Sequence, residues 1–427
     1  MPMKIISCAI FPNTLSTAWA LLVVVCFLIT GCQTDAPARL PERPAALVAA
    51  IALDRAIDHA VDDLLIQAQR LPELQAPPPA SGLDAVLRKE QPPPAMIRIV
   101  VDSALDGVSG QQTVATRSVD KRLLSGIKTR FPGFLVAPMS TGDLASARFI
   151  LTATLTVSER RENKLSNYRI NLSLTDAASG FVIAQAAAQA TGETVDATPT
   201  VFYRDSPSLT KDRTIEGHIQ TAQTPAGKPA DGVYLSNLSV AALIAEGSRL
   251  YEAEKYLEAL AVYEIAVARP DGKHLRVYNG LYLSNVQLGR VDAAEQVFGR
   301  LVSLGLATNS LSVKFLFKPG STDFWPDPKI NAIYPIWIRV LAREIVAAKT
   351  CVTIAGHTSR SGAEGVNDRL SLQRAGAIQK RLETATPDIA GRLISAGLGF
   401  RENLIGTGAD DASDALDRRV EFRVRGC

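Results

Sequence analysis

The chain has 427 residues, 47% of them apolar and 21% charged, a globular balance with length for two or three domains that excludes the disordered and fibrous classes. Basic residues number 46 against 43 acidic, a net charge of +3, which leaves no electrostatic footprint for nucleic acid and excludes it as a partner. No H-E-x-x-H, G-x-S-x-G, phosphate loop or dinucleotide fingerprint occurs, so the sequence reads as a non-enzyme without cofactor or metal.

Lys4, the only charge ahead of Cys32, is followed by an apolar run from Ala18 to Thr30 of about 13 residues, too short to cross a bilayer and suited to a signal-peptide core. The run ends in Ile29-Thr30-Gly31-Cys32, small residues before a cysteine, which resembles a bacterial lipobox. That resemblance implies a signal peptide over 1–31, loss of Cys8 and Cys26 with it, and acylation of Cys32. With Gln33 rather than Asp next in line, it implies an outer-membrane, periplasm-facing location, held stably by more than one acyl chain. Only Cys351 and Cys427 then remain as thiols, in a compartment that oxidises such pairs.

Residues 32–95 carry an amphipathic helix and a spacer. Leu47, Ile51, Ile57, Val61, Leu64 and Leu65 recur at helical spacing between Pro44 and about Arg70. Two triple prolines, 77–79 and 92–94, favour extended polyproline geometry.

Residues 96–193 read as an α/β, sandwich-like domain. A strand at Ile97–Val101 leads to a helix with Val119, Leu123, Ile127 and Phe131 on one face, then to a strand near Phe134–Val136. Phe149, Leu151, Ala153, Leu155 and Val157 alternate with polar residues, as do Tyr168, Ile170, Leu172 and Leu174, the period of half-buried antiparallel strands. The turn Asp176-Ala177-Ala178-Ser179-Gly180 leads into Phe181–Ala184. This order, with Ala147–Leu155 before the hairpin, resembles the periplasmic lipoprotein family that includes the penicillin-binding-protein activator and the curli-secretion lipoprotein, and implies a protein-binding scaffold. Residues 194–236, polar and without clear periodicity, read as a loop-like connector.

Residues 237–306 are expected to be all-α. Gly247, Leu250, Tyr256, Ala259, Tyr263, Ala266 and Pro270, then Gly289, Ala294 and Phe298 about 35 residues after Glu254, Ala259 and Tyr263, resemble two tetratricopeptide repeats. Two repeats fall short of the three needed for independent stability, so they are expected to dock on a neighbouring domain and to offer binding surface to envelope proteins.

Residues 311–427 begin with a strand, Leu311–Phe317, then a helix marked by Ile336, Trp337, Val340, Leu341 and Ile345, and a strand at Val352–Ala355. A second helix over about Asn367–Glu383 and strands at Leu393–Ala396 and Val420–Val424 complete a β-α-β-α-β-β order. The stretch Gly356-His357-Thr358-Ser359-Arg360-Ser361-Gly362, then Asn367, Leu370-Ser371, Arg374-Ala375 and Asp417-Arg418-Arg419-Val420-Glu421, resembles the OmpA-like domain that holds bacterial outer-membrane proteins onto peptidoglycan. The resemblance implies a pocket for the diaminopimelate of the peptide stem. Arg374 would supply a planar cation for a ligand carboxylate, Asn367 would orient the loop or bond the ligand, and Thr358 would line the rim. Ser359 stands where the family has an aspartate, and a hydroxyl cannot neutralise an ammonium, so affinity should fall. Asp417 replaces the family's asparagine, and one of Arg418 and Arg419 is expected to point inward with a partner. The resembled fold also sets the last strand beside the second, which implies a Cys351–Cys427 disulfide.

His357 reads as an end-of-strand residue rather than a metal ligand. Asp410, Asp411, Asp414 and Asp417 lack the glycine and glutamate of a calcium loop and read as a solvated turn. The whole is expected to be a multidomain α/β lipoprotein that tethers to peptidoglycan and scaffolds envelope partners. The rival expectation is a regulatory or secretion-assembly scaffold whose C-terminal domain binds protein rather than cell wall, which Ser359 favours.

Overall fold

The computed structural model describes residues 50–71, 74, 96–159, 166–318, 320–404 and 417–427. The signal peptide, Cys32, the triple prolines and Asp410, Asp411 and Asp414 lie outside the described residues. None of the described helices is long and apolar enough to cross a membrane.

The first helix, α1 (Leu53–Gln69), buries Leu53, Ile57, Val61, Leu64, Leu65 and Ala68, an apolar face at 3.6-residue spacing. It lies on a mixed sheet built from β1 (Ile97–Val101), β2 (Leu105–Asp106), β3 (Phe134–Pro138), β4 (Phe149–Glu159), β5 (Asn167–Asp176) and β6 (Val182–Ala190). Strand order is β3-β1-β4-β5-β6, with β2 against β4. The central β1 is parallel to both β3 and β4, while β4-β5 and β5-β6 are antiparallel. The crossover from β1 to β3 is α2 (Val114–Arg130), whose start is fixed by a capping box between Thr113 and Thr116. Together α1 and α2 cover Ile99, Val101, Leu151, Ala153, Leu155, Ile170, Leu172 and Leu174 on one face of the sheet. A short α3 (Thr141–Leu144) joins β3 to β4.

The opposite face corrects the reading of 194–236 as a loop. That segment folds into α4 (Val201–Asp205), α5 (Arg213–Gln223) and α6 (Gly232–Ser236), and α5 packs on β4, β5 and β6. Its buried side includes Thr214, His218 and Thr221 beside Ile215, Ile219 and Ala222. Those polar residues face Thr152, Thr154, Asn171, Ser173 and Thr175, all buried. Hydrophobic periodicity misses such a helix because half of its inward positions are polar.

Four helices follow: α7 (Leu238–Glu252), α8 (Tyr256–Ala268), α9 (Leu275–Gln287) and α10 (Val291–Ala307). Small residues let α7 and α9 close on the buried Tyr263 of α8: a Cβ on Gly247 or Gly280 would fall 2.7 or 2.2 Å from its ring.

The C-terminal sheet has the order β7 (Leu311–Val313), β10 (Val420–Arg425), β8 (Cys351–Gly356), β9 (Leu393–Gly397), with α12 (Glu364–Ala385) packed on β8 and β9 and α11 (Pro328–Ala347) packed between α12 and α10. The first strand ends at Val313 rather than Phe317. Beyond it, Leu316 N–H donates to the Tyr334 hydroxyl at 2.8 Å, and Phe315, Phe317, Phe324, Tyr334 and Trp337 form an aromatic cluster. One apolar core runs without a break from Phe202 through the four helices to Phe422. Trp337 of α11 stacks on Phe298 of α10 at 5.3 Å and donates to the Tyr282 hydroxyl at 2.9 Å. Residues 207–209 extend the sheet beyond β7: Ser208 bridges Val313, Leu209 N–H donates to Ser312 O at 3.0 Å, and Lys314 N–H to Pro207 O at 2.9 Å.

Candidate functional site

The end of β8, the loop 357–363 and the first turns of α12 form one structure. Gly356 makes this possible, since a Cβ there would sit 2.1 Å from the Ser371 carbonyl. Gly397 meets the α12 backbone in the same way, 2.6 Å from Asp368 O. The loop is then pinned by backbone bonds, His357 N–H to Arg419 O at 3.0 Å and Thr358 N–H to Gly399 O at 2.9 Å. Gly362, at φ +87°, supplies the left-handed turn into the helix.

All four residues singled out from the sequence are buried at this end of the sheet. Asn367 donates from Nδ2 to Ser361 O at 2.8 Å and Ala363 O at 3.3 Å, and so orients the loop. Ser359 Oγ lies 3.2 Å from Ser361 Oγ. Thr358 is 1% exposed, while the neighbouring Arg360 is exposed to solvent. Arg374 lies seven positions beyond Asn367 on the same buried face of α12. Its Nε donates to Ser321 O at 3.1 Å and its Nη2 to Lys318 O at 3.0 Å, and its guanidinium sits 5.0 Å from the Phe317 ring centre. The arginine therefore clasps the 317–321 segment against α12 through two neutral acceptors.

Behind the loop, His357 is buried with Nε2 3.5 Å from Glu421 Oε2, long for a hydrogen bond. Burial pushes its pKa down. Burial works to raise the Glu421 carboxyl, but His357 and the Arg419 guanidinium hold it far below the usual carboxylate range. Arg419 is the inward-facing arginine, 2.7 Å from Glu421, while Arg423 pairs with Glu402 and Glu421. His357, Glu402 and Glu421 approach one another closely enough to hold a cation, but two arginines already balance the two carboxylates. Asp417 is buried and accepts from Leu404 N–H at 2.6 Å, keeping the acceptor role its position needs. Cys351 and Cys427 form a disulfide, their Cα atoms 5.1 Å apart, where the end of β10 meets the start of β8.

Sequence reasoning missed a second polar centre. His218 Nδ1 lies 3.0 Å from Asp102 Oδ2 and its Nε2 3.1 Å from the Ala153 carbonyl, so both ring nitrogens face an oxygen acceptor. The Tyr234 hydroxyl donates to the same Asp102 oxygen at 2.8 Å. Burial works to raise the Asp102 carboxyl, but His218 and Tyr234 hold it below its ordinary value. With Nε2 committed to a carbonyl, the pair has no position for a nucleophile and acts as a latch between the sheet and α5 and α6.

Residues 316–415 match the OmpA family. Among solved structures, the C-terminal part is similar to the peptidoglycan-associated lipoprotein from Burkholderia pseudomallei, at 20% identity over 26% of this chain and 88% of that one, with a TM-score of 0.23. It is similar also to the cell wall anchor of the T6SS from Pseudomonas aeruginosa, at 24% identity over 27% and 80%, TM-score 0.22. An outer membrane protein from Borrelia burgdorferi B31 matches at 25% over 27% and 86%, TM-score 0.21. No curated protein matches the chain. The chain thus carries an OmpA-like domain at its C-terminus.

Proposed function

We propose that the chain is a lipid-anchored outer-membrane lipoprotein facing the periplasm, whose OmpA-like domain tethers it to peptidoglycan while its α/β domain and tetratricopeptide-like hairpins scaffold envelope proteins. The observation that carries this reading is the convergence of Thr358, Ser359, Asn367 and Arg374 at one end of the C-terminal sheet, on the motif of the matched family. Cys32 supplies the anchor and the Cys351–Cys427 disulfide staples the domain for an oxidising compartment. Pull-down of the full-length protein on diaminopimelate-type sacculi tests the tether. Weak, salt-sensitive retention that Ser359→Asp strengthens is expected, because a carboxylate answers the ligand's ammonium with a charge-assisted bond. Failure of sacculi to retain either form above a membrane-only control sinks it. Cys32→Ala should release the chain from the outer membrane, and free-thiol labelling of Cys351 and Cys427 in native protein would refute the staple.

A second reading, a regulatory or secretion-assembly scaffold whose OmpA-like domain binds protein, is favoured by one observation: Arg374 already spends two donors on Lys318 and Ser321 carbonyls. In that case sacculi retain nothing, and crosslinks from the loop 357–363 reach envelope proteins instead.

A further inference from the structure

The strand order reverses at β1: the chain crosses through α2 to β3 on one side, then through α3 to β4 on the other. Open α/β sheets leave a crevice beyond the carboxyl ends of their strands at such a switch point. Here it is a cavity of about 470 Å³, walled by Val101 and Pro138 at the ends of β1 and β3, by Val114 and Leu124 of α2, and by Arg249 of α7. It therefore lies where the N-terminal sheet meets the helical region, a common setting for ligand sites.

Its charges are unevenly satisfied. Arg117 pairs with Glu252. Arg249 donates from Nη2 to the Met139 carbonyl at 3.0 Å, and among the described residues no carboxylate lies in ion-pair range of it. Burial lowers its pKa, the mark of a cation short of solvent. Lys121, exposed on the rim, adds a second positive charge. The one carboxyl in the wall, Asp120, accepts from Ala104 N–H at 2.7 Å and Gln112 Nε2 at 3.1 Å, and burial pushes it up to about 8. At neutral pH it is largely protonated, and the other carboxylates that act on the guanidinium, Glu246 and Asp143, do so from beyond ion-pair range, Asp143 being paired with Arg98. The first amides of α2 are taken by the Thr198 and Asp196 carbonyls and by the Thr113 hydroxyl.

We infer that this crevice binds a small organic acid, its carboxylate on Arg249 and Lys121 and its apolar body against Val101, Val114, Leu124 and Pro138. A fork-shaped guanidinium matches a carboxylate, and the apolar walls suit a short hydrocarbon or a single ring.

The probe is 4-(trifluoromethyl)benzoate, followed by fluorine NMR with the full-length protein in lipid nanodiscs and empty nanodiscs as reference. Saturable binding is expected, with the neutral 4-(trifluoromethyl)benzamide about tenfold weaker, since a charge-assisted bond contributes at least the factor of ten that 1.4 kcal/mol represents. Arg249→Gln should weaken the acid by about the same factor and Arg249→Lys should restore most of it. If Arg249→Gln fails to fold, Lys121→Gln on the exposed rim gives the same direction of change. Equal binding of acid and amide, binding unchanged in a folded Arg249→Gln, no shift beyond empty nanodiscs, or tighter binding of 4-(trifluoromethyl)phenyl phosphate would each overturn the assignment.

Discussion

The two faces of the N-terminal sheet are both buried, but by different means. Under α1 and α2 the contacts are aliphatic, Ile99, Leu151, Ile170 and Leu172 among them, and what they contribute scales with area and hardly with direction. Under α5 and α6 the same strands bury Thr152, Thr154 and Asn171; Thr152 meets the Tyr234 hydroxyl, Asn171 donates to Thr154, and His218 meets the Ala153 carbonyl and Asp102, so the contribution depends on donors meeting acceptors. An aliphatic face tolerates exchange of one shape for a similar one. A polar face fails when a single partner is removed, because the group left behind stays buried and unpaired.

Four experiments sharpen or break that contrast. The largest effect is expected from His218→Ala, which strands the Asp102 carboxylate and should lower unfolding free energy by about 4 kcal/mol in denaturant titration; a loss under about 1 kcal/mol would mean the polar face carries little. Leu172→Ala, on the aliphatic face, should cost about 3 kcal/mol, while Leu172→Met should be mild. If the two substitutions cost the same, packing on that face is not what holds it. Tyr234→Phe removes one of the two bonds to Asp102 and is expected to cost about 1.5 kcal/mol, with a double-mutant cycle against His218→Ala showing coupling.

The smallest effect per step, read one pH unit at a time, tests a buried amine that has no carboxylate in ion-pair range among the described residues. Lys314 Nζ donates to the Tyr203 carbonyl at 2.6 Å and the Arg204 carbonyl at 3.2 Å, and burial pulls its pKa from 10.5 down to about 7. Above pH 7 the unfolded chain holds that proton and the folded one does not, so stability gains up to about 1.4 kcal/mol per pH unit, until pH reaches the unfolded value. Asp120, raised to about 8, works in the opposite sense below that pH. The difference in slope between wild type and Lys314→Met from about pH 8 to 9, below the range where the buried tyrosines ionise in the unfolded chain, therefore isolates the lysine; parallel curves for the two proteins would overturn its role.

What the sequence disclosed follows the same division. The alternation in 149–157 and 168–174 located β4 and β5, and the run from Gly356 to Ala375 with Asp417–Glu421 located the OmpA-like domain, because those signals are local. Alternation could not tell that the polar sides of β4 and β5 are buried too, since Thr and Ser look alike facing water or facing α5. Nor could it pair Asp102 with His218, which are 116 positions apart. At the candidate site, the resembled motif singled out Asn367 and Arg374. The clasp on Lys318 and Ser321 depends on a segment more than 50 positions upstream, for which the motif has no symbol.

The bridge between 207–209 and β7 has a mechanical meaning. Two backbone hydrogen bonds on a sheet edge, with Lys314 seated under the end of α4, brace the segment leading to α5 against the C-terminal domain. A Gly/Ser-type leash of similar length would set only the farthest two ends could drift apart. A braced strut sets how far apart they stand, so whatever is held near α1 and whatever is held by the loop 357–363 share one fixed gap.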